Sequence, residues 1–470
     1  MPSQAPMQTD LIYSQSQPAP NKTAGGHDCA PPIDRTGFAL FLLLNAVLFI
    51  RPSEIIPELE GWPLYEVVIL LCLLASLSAV RERLTAHSLR LQPGLVCVLL
   101  MLLVIVLSNL LHGLSYEARM GGIMFLKIVL YYLLLQGLVN STARLRTFLL
   151  VLLAFILTLA ILSLLQFHGI IDVQAMAPVH QNEGFDESTG EGLILFRLQS
   201  LGIFSDPNDF SLILVCGLLI GMHRLIEDRR FFARLAWMLP IGICGYAFSL
   251  THSRGGFLAL TSGSMAYLVS QRGWRRSRLP AAIVLPLLLL AFGGRQTNID
   301  LGNTDDTAQG RILLWRDAMM YFQTSPIMGI GYGQLPETMG MVAHNSYVNS
   351  YAELGIFGGT CFVGVFYCAI VGLRRVTGGS AQRIDAELLK WRPCVMAMVV
   401  AYATGLISLT RSYVIPTYLV LGVAAAYGNL VARDAPAAVP RLTVRLLRRV
   451  GAVSVICLIV IYAFIKIFAH

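Results

Sequence analysis

Apolar runs of about 20 residues recur along the whole chain, and they restrict its fold more than any other feature. A helix of about 20 mostly apolar residues crosses a bilayer core about 30 Å thick. Every backbone N–H and C=O group within that core has to be paired inside the protein, and a helix achieves this within one segment. We therefore expect an all-α polytopic membrane protein, a bundle of twelve or thirteen transmembrane helices.

Thirteen segments have the required length and composition. They are 36–50, 64–80, 93–111, 120–139, 147–167, 208–226, 235–250, 255–271, 279–293, 354–373, 394–410, 413–431 and 450–468. The thirteenth decides the side of the C-terminus. His470 lies outside if segment 450–468 spans the membrane, and inside if that segment only follows the interface.

The composition agrees with the membrane class. The chain has 470 residues, of which 56% are hydrophobic and 13% charged. Soluble domains carry about 25% charged residues. The net charge is +8, from 35 Lys and Arg against 27 Asp and Glu. In a membrane protein this excess is expected to sort by side of the bilayer, so we expect membrane lipids and no nucleic acid as partners.

The connections between the predicted spans alternate in charge. Arg is dense in 81–92, 140–146, 227–234, 272–278, 374–393 and 432–449, whereas most acidic residues lie in 51–63, 112–119, 168–207, 251–254, 294–353 and 411–412. The positive-inside rule then predicts a cytoplasmic N-terminus and places the second set outside. Loops 168–207 and 294–353 are unusually long, and function is expected there.

The rest of the domain organisation is simple. Residues 1–34 are rich in Pro, Gln, Ser and Ala and predict a disordered cytoplasmic tail rather than a signal peptide, followed by one membrane domain over 35–470. Among nine cysteines there is no CxxC pair, and no predicted outer loop holds two, so neither a disulfide framework nor a zinc site is indicated. We expect no metal and no cofactor.

The first motif is Thr251-His252-Ser253-Arg254-Gly255-Gly256, at the outer end of a predicted helix. A charged residue at the membrane is usually retained for function, and a guanidinium group binds phosphate oxygens through two hydrogen bonds. The two glycines would let a ligand approach the backbone. The alternative, an arginine that only reaches for lipid headgroups, has equal weight from this motif alone.

The second motif begins at Gly310-Arg311 in the long outer loop. Apolar residues at 312, 315, 319 and 322 share one face, which predicts an amphipathic helix over 310–322 with Arg311 in its first turn. The free N–H groups of a first turn would also favour an anion. Gly329-Ile330-Gly331-Tyr332-Gly333 follows as a turn able to pack closely, and it follows no strand, which argues against a dinucleotide site.

The third motif is the polar run from His344 to Glu353, which leads directly into span 354–373. A histidine has an ordinary pKa near 6.5, so His344 can be neutral and act as a base. A lone interfacial histidine is more often structural. Its location on the same side as Arg254 and Arg311 favours the catalytic interpretation.

Several weaker candidates complete the set. Arg197 is a further anion contact, and nearby Asn208 is expected to cap the next helix. Lys127 is an isolated charge within span 120–139, either functional or paired. Arg411, in the predicted tight turn 411–412, either joins the anion site or reaches for the interface.

Together these motifs resemble the O-antigen ligase/polymerase superfamily of bacterial membrane glycosyltransferases. The matching pieces are Phe204 to Asn208, Ser253-Arg254-Gly255-Gly256, Gly310-Arg311 with Trp315, Gly329-Ile330-Gly331, and His344-Asn345-Ser346 with Glu353-Leu354-Gly355. The resemblance covers roughly residues 195–375. It adds Asn345 to the secondary site candidates.

The resemblance implies a fold of about twelve transmembrane helices, similar to other C-type glycosyltransferases, in the bacterial inner membrane with a periplasmic active site. It implies transfer of a glycan from undecaprenyl pyrophosphate to an acceptor hydroxyl, without a metal ion. The acceptor of the ligases is a lipid A–core sugar. We expect His344 as the base and Arg254 and Arg311 as the pyrophosphate clamp.

Two other interpretations stay open. Polymerases of repeat units and protein O-oligosaccharyltransferases share the same motifs. A transporter or flippase would instead require charges at mid-bilayer and paired broken helices, and only Lys127 fits that pattern.

Overall fold

The computed structural model describes residues 32–185, 192–292, 306–376 and 382–469, and these are mostly α-helical. The predicted all-α polytopic membrane class is confirmed. The predicted tail 1–34 lies outside the described residues, except that its last three residues begin the first helix.

Eight helices precede the first long loop. They are α1 (Pro32–Ile50), α2 (Pro52–Ile55), α3 (Leu64–Ala75), α4 (Leu77–Arg83), α5 (Ala86–Leu91), α6 (Pro93–Leu111), α7 (Ser115–Leu138) and α8 (Thr142–Phe167). Proline at the first or second helical position of α2 and α6 is compatible with a helix start, because those N–H groups have no partner within the helix.

Ten helices follow. They are α9 (Pro207–Glu227), α10 (Phe231–Leu250), α11 (Arg254–Arg272), α12 (Trp274–Ala291), α13 (Asp306–Thr324), α14 (Gln334–Met339), α15 (Ser346–Arg375), α16 (Ala386–Gly405), α17 (Ile415–Asp434) and α18 (Val444–Phe468). α9 is enclosed by its neighbours, since 78% of the residues in its apolar stretch are buried. α10 and α18 are peripheral, with 17% of the corresponding residues buried in each.

Among the described residues, nine helices are long and apolar enough to cross a membrane. These are α1 with its continuation to Glu54, α6, α7, α8, α9, α10, α15, α17 and α18. α11, α12 and α16 cover the predicted spans 255–271, 279–293 and 394–410. They carry too many polar or charged residues to be counted among the helices that are apolar enough to cross a membrane.

The predicted span 64–80 is broken rather than continuous. α3 and α4 meet at Ser76 with a bend of 78°. Ser76 has non-helical angles of φ −126° and ψ 18°, and α1 packs closely there, since a Cβ on Gly37 would lie 2.4 Å from the Ser76 hydroxyl. Counted as one bent span, this pair makes a tenth candidate.

The two long loops contain regular structure. Loop 168–207 folds into an antiparallel hairpin of β1 (Val179–Phe185) and β2 (Gly192–Arg197), in which Val179 pairs with Arg197. We did not predict these strands. Loop 294–353 contains α13 and α14, and α13 confirms the predicted amphipathic helix, because Ile312, Met319 and Phe322 are buried on one face.

α18 packs against α15 through its first half and against α13 near its end. Val450 lies where a Cβ on Gly364 would contact it, the Tyr351 hydroxyl lies 2.8 Å from that of Ser454, and Trp315 of α13 packs on Phe464. The end of α18 therefore reaches the same end of the bundle as α13. α18 is also one of the helices that are long and apolar enough to cross a membrane.

Candidate active site

The N-terminal ends of α9, α11 and α15 converge at one end of the bundle. Their caps are Asp206, Ser253 and Asn345, and each cap's side-chain oxygen accepts from backbone N–H groups of the following turn. The first N–H groups of a helix have no partner within it and carry partial positive charge. Three such ends therefore add partial positive charge to a region that also holds the carboxylates of Asp206 and Asp209.

The prediction that Asn208 caps α9 is wrong, because Asp206 does so. Pro207 occupies the first helical position and favours an extended residue before it, and Asp206 has φ −124° and ψ 132°. The Asn208 side chain joins two helices instead. Its Oδ1 accepts from the Ser253 hydroxyl, which caps α11, at 2.9 Å.

Arg197 is fastened by protein acceptors. Its Nε donates to the carbonyl of Thr251 at 2.9 Å, and its terminal nitrogens donate to Gln181 Oε1 at 3.0 Å and Asn208 Oδ1 at 2.9 Å. The side chain is nearly buried. These contacts tie β2 to the starts of α9 and α11.

Arg411 forms a two-pronged ion pair with Asp209 in the first turn of α9. The Arg411 Nε lies 2.7 Å from Oδ1, and its Nη2 donates to Oδ2. Asp209 is buried, and the backbone N–H of Arg411 donates to the Ser346 hydroxyl at 2.9 Å. The predicted tight turn 411–412 is in fact the longer segment 406–414, which links the starts of α9 and α15.

His344 immediately precedes the cap of α15. Its φ is +50°, a left-handed conformation that is uncommon outside glycine and recurs at functional sites. Asn345, a secondary site candidate, is committed to capping through its Oδ1. The Trp315 Nε1 donates to the carbonyl of Ala343 at 2.8 Å and so fastens α13 beside His344.

Arg311 lies on the same side of α13 as Trp315, one turn earlier. Because α13 begins at Asp306, Arg311 lies in the second turn, and its prediction in the first turn is wrong. The unpaired N–H groups of a helix are confined to its first turn, so they do not assist Arg311. Arg254 is the first residue of α11 and therefore lies in a first turn, beside the unpaired N–H groups of that helix.

Arg311, Arg411 and Asp206 all influence the pKa of His344. Burial lowers the pKa of His344 below its ordinary 6.5, and the positive charge of Arg311 lowers it further, as does that of Arg411 to a smaller extent. Asp206 opposes the shift. These three side chains are therefore close enough to act on the imidazole, which is neutral at pH 7.

The glycine-rich turn after α13 packs into a break in α15. Gly355 has φ +65° and interrupts the helix, and the backbone N–H groups of Ile330 and Gly331 donate to the exposed carbonyls of Ala352 and Glu353 at 3.1 and 3.0 Å. A Cβ on Gly329 would lie 2.2 Å from the Glu353 carbonyl carbon. The predicted close packing of this turn is confirmed.

Two carboxylates of this region had no role assigned from the sequence. Glu353 is fully enclosed and accepts from the Asn349 side chain at 3.0 Å and from the backbone N–H of Leu335 at 3.4 Å. Asp209 is the partner of Arg411. An acidic residue at a predicted membrane segment was the available signal for both.

Lys127 lies elsewhere. It lies midway along α7 and donates to Glu66 of α3 at 2.7 Å. Of the two predicted possibilities, functional or paired, the structure shows the ion pair. Within the described ranges, no group of three or more His, Cys, Asp or Glu side chains is arranged to hold a metal ion. The cations placed near His344 are arginine side chains.

Residues 239–363 match the model of a protein family described as O-antigen ligase. The matched range contains Arg254, Arg311 and His344, together with the break at Gly355, whereas Arg197 and Arg411 lie outside it. The match confirms the resemblance to the O-antigen ligase/polymerase superfamily. A search of curated proteins found no match to the chain.

Replacing Gly329 by alanine should destabilise the protein. The new Cβ meets the α15 backbone at 2.2 Å, and the position has φ +71°, so we expect a loss of about 1–3 kcal/mol of stability. The measurement is the unfolding midpoint of the purified protein in detergent. Gly310→Ala is the control, since nothing lies within 4 Å of its Cβ. Equal midpoints for both variants would contradict the packing described.

Proposed function

We propose that this superfamily member is an O-antigen ligase, which transfers a glycan from undecaprenyl pyrophosphate to a sugar hydroxyl of lipid A–core. The reaction is placed at the periplasmic face of the bacterial inner membrane. One observation carries the proposal: a neutral, half-buried His344 lies within electrostatic reach of Arg311, where the N-termini of α9, α11 and α15 converge. His344, Arg311 and the starts of α11 and α15 all fall within the family-matched region.

The proposed step is a direct displacement. The acceptor hydroxyl oxygen attacks the anomeric carbon of the donor sugar, and its proton passes to the imidazole of His344. The bond between the anomeric carbon and the pyrophosphate oxygen breaks, and undecaprenyl pyrophosphate leaves with the electron pair. A single displacement inverts the anomeric configuration.

Arginine side chains supply the charge for the leaving group. Positive charge that is fixed before the reaction stabilises the developing phosphate charge without reorganisation. Arg311 and Arg254 are the proposed clamp, and the N–H groups at the start of α11 add to it. Arg411 contributes less, because Asp209 already neutralises it.

The runner-up functions are a polymerase of repeat units on the same carrier and a protein O-oligosaccharyltransferase. Both would use the same base and clamp and differ only in the acceptor. Transport has less support, since the one intramembrane lysine considered for it, Lys127, is paired with Glu66.

Deletion of the gene distinguishes these functions. For a ligase, long glycan chains should accumulate on undecaprenyl pyrophosphate while surface lipopolysaccharide loses its O-antigen. The measurements are gel profiles of lipopolysaccharide and analysis of the lipid-linked pool. Single repeats attached to core would identify a polymerase instead, and unchanged profiles would point to a protein acceptor or an exopolysaccharide.

Replacing His344 by alanine should lower the transfer rate about 10²–10⁴-fold, the usual contribution of a general base. The assay follows glycan transfer between purified donor and acceptor lipids. His168→Ala is the matched control, because His168 follows α8 in the other long loop and bonds to the Tyr246 hydroxyl. A near wild-type rate for His344→Ala would exclude this base.

The pH profile provides a second readout of the same base. Since burial and Arg311 lower the pKa of His344, its base form persists below pH 6.5 and is lost only as the pH falls through the lowered pKa. The acid limb of kcat/KM should therefore lie below pH 6.5 and disappear in His344→Ala. An acid limb above that value would assign it to another group.

Arg311→Lys should impair transfer although the positive charge is kept. Lysine lacks the planar fork that binds two phosphate oxygens, and losing a charged hydrogen bond costs about 1.5–3 kcal/mol, at least tenfold in rate. Arg254→Lys is expected to behave alike. The control is Arg316→Lys on the exposed face of α13, where Arg316 pairs with Asp317. Equal rates for Arg311→Lys and Arg316→Lys would remove Arg311 from the clamp.

A further inference from the structure

A cleft lined by arginines lies at the end of the bundle opposite His344. It is formed where α15 ends and α18 begins, has a volume of about 390 Å³, and is lined by Arg375, Arg441, Arg445 and Arg449. Of the residues described, no acidic side chain lines it. Four like charges facing one space repel each other unless an anion occupies it.

An apolar cavity adjoins this cleft. It lies between α6, α7, α15 and α17, is lined mainly by apolar side chains and has a volume of about 60 Å³, so it has room for a short segment of a hydrocarbon chain. Val439 lines both spaces, and Pro440 of the cavity directly precedes Arg441 of the cleft. A charged compartment and an apolar compartment thus meet at one segment.

Two polar atoms that belong to residues lining the apolar cavity lack a partner in the described part of the chain. They are the Tyr427 hydroxyl and the Gln92 Oε1, and both are buried. A buried polar atom without a hydrogen bond is costly, and such atoms commonly mark the place of a ligand or water. Both residues belong to the wall of the cavity.

We propose that these two compartments together bind one anionic phospholipid, with its phosphate on the arginines and the adjoining segment of one acyl chain in the apolar cavity. Guanidinium groups bind phosphate oxygens through paired hydrogen bonds, and basic pockets between transmembrane helices are known lipid headgroup sites. The adjoining apolar cavity favours a lipid over a free anion. The site is separate from the reaction proposed above.

Lipid binding to the full-length protein tests the headgroup part. The detergent-purified chain is titrated with phosphatidylglycerol or phosphatidylcholine, and bound lipid is counted by native mass spectrometry. Phosphatidylglycerol should bind more tightly, and R441A/R445A should weaken it at least tenfold. R275A/R276A removes two exposed charges at the same end outside the cleft and should have no effect. Equal losses in both variants, or equal binding of both lipids, would overturn the proposal.

Filling the cavity tests the acyl-chain part. A Cβ on Gly428, which lines the cavity, meets nothing within 4 Å, so Gly428→Leu should fold normally and still weaken phosphatidylglycerol binding at least tenfold. Gly451→Leu on α18 adds the same side chain in equally open space away from the cavity. Circular dichroism checks that both variants are folded. If glycerol phosphate competes as well as the lipid, or Gly428→Leu binds normally, the site holds a free anion and the lipid proposal fails.

Discussion

The ion pair between Asp209 and Arg411 holds the proposed active site together. It connects the first turn of α9, the most enclosed candidate span, to segment 406–414, whose backbone is bonded to Ser346 at the start of α15. The Asp209 carboxylate is buried whereas the Arg411 side chain is 35% exposed, so removing Arg411 would leave a buried charge without compensation. The orientation of His344, two residues before Ser346, depends on this link.

The break at Gly355 complements that link. A helix of 30 residues is about 45 Å long, more than the hydrocarbon core of a membrane. Interrupting α15 exposes backbone carbonyls that the turn around Gly329 satisfies, so the segment that begins at Ser346 is fixed at both ends. Preorganisation of this kind is what a base needs, since small displacements of a catalytic group are costly.

The sequence was sufficient for the helical class, for most of the spans and for the amphipathic α13, because these follow from local apolar periodicity. It was insufficient for the bend at Ser76, the hairpin of β1 and β2, and the cap of α9. The bend depends on a partner distant in the sequence, because Gly37 packs against Ser76. The cap of α9 was missed for a local reason, since Pro207 begins the helix and leaves Asp206 as the cap. Arg411 was recognised as a charge, but its partner Asp209 lies 202 residues away, and only the fold brings them together.

The proposed roles of Arg254 and Arg311 follow from the distribution of charge between the two ends of the bundle. The charge bias favours arginine at the end opposite His344, where four of them line one cleft, so an arginine at the His344 end needs another reason to be there. Arg197 and Arg411 bond to protein acceptors that fix them in place. Under the proposed function, Arg254 and Arg311 also serve a substrate that carries two phosphates, and the positive charge of Arg311 helps to keep His344 neutral.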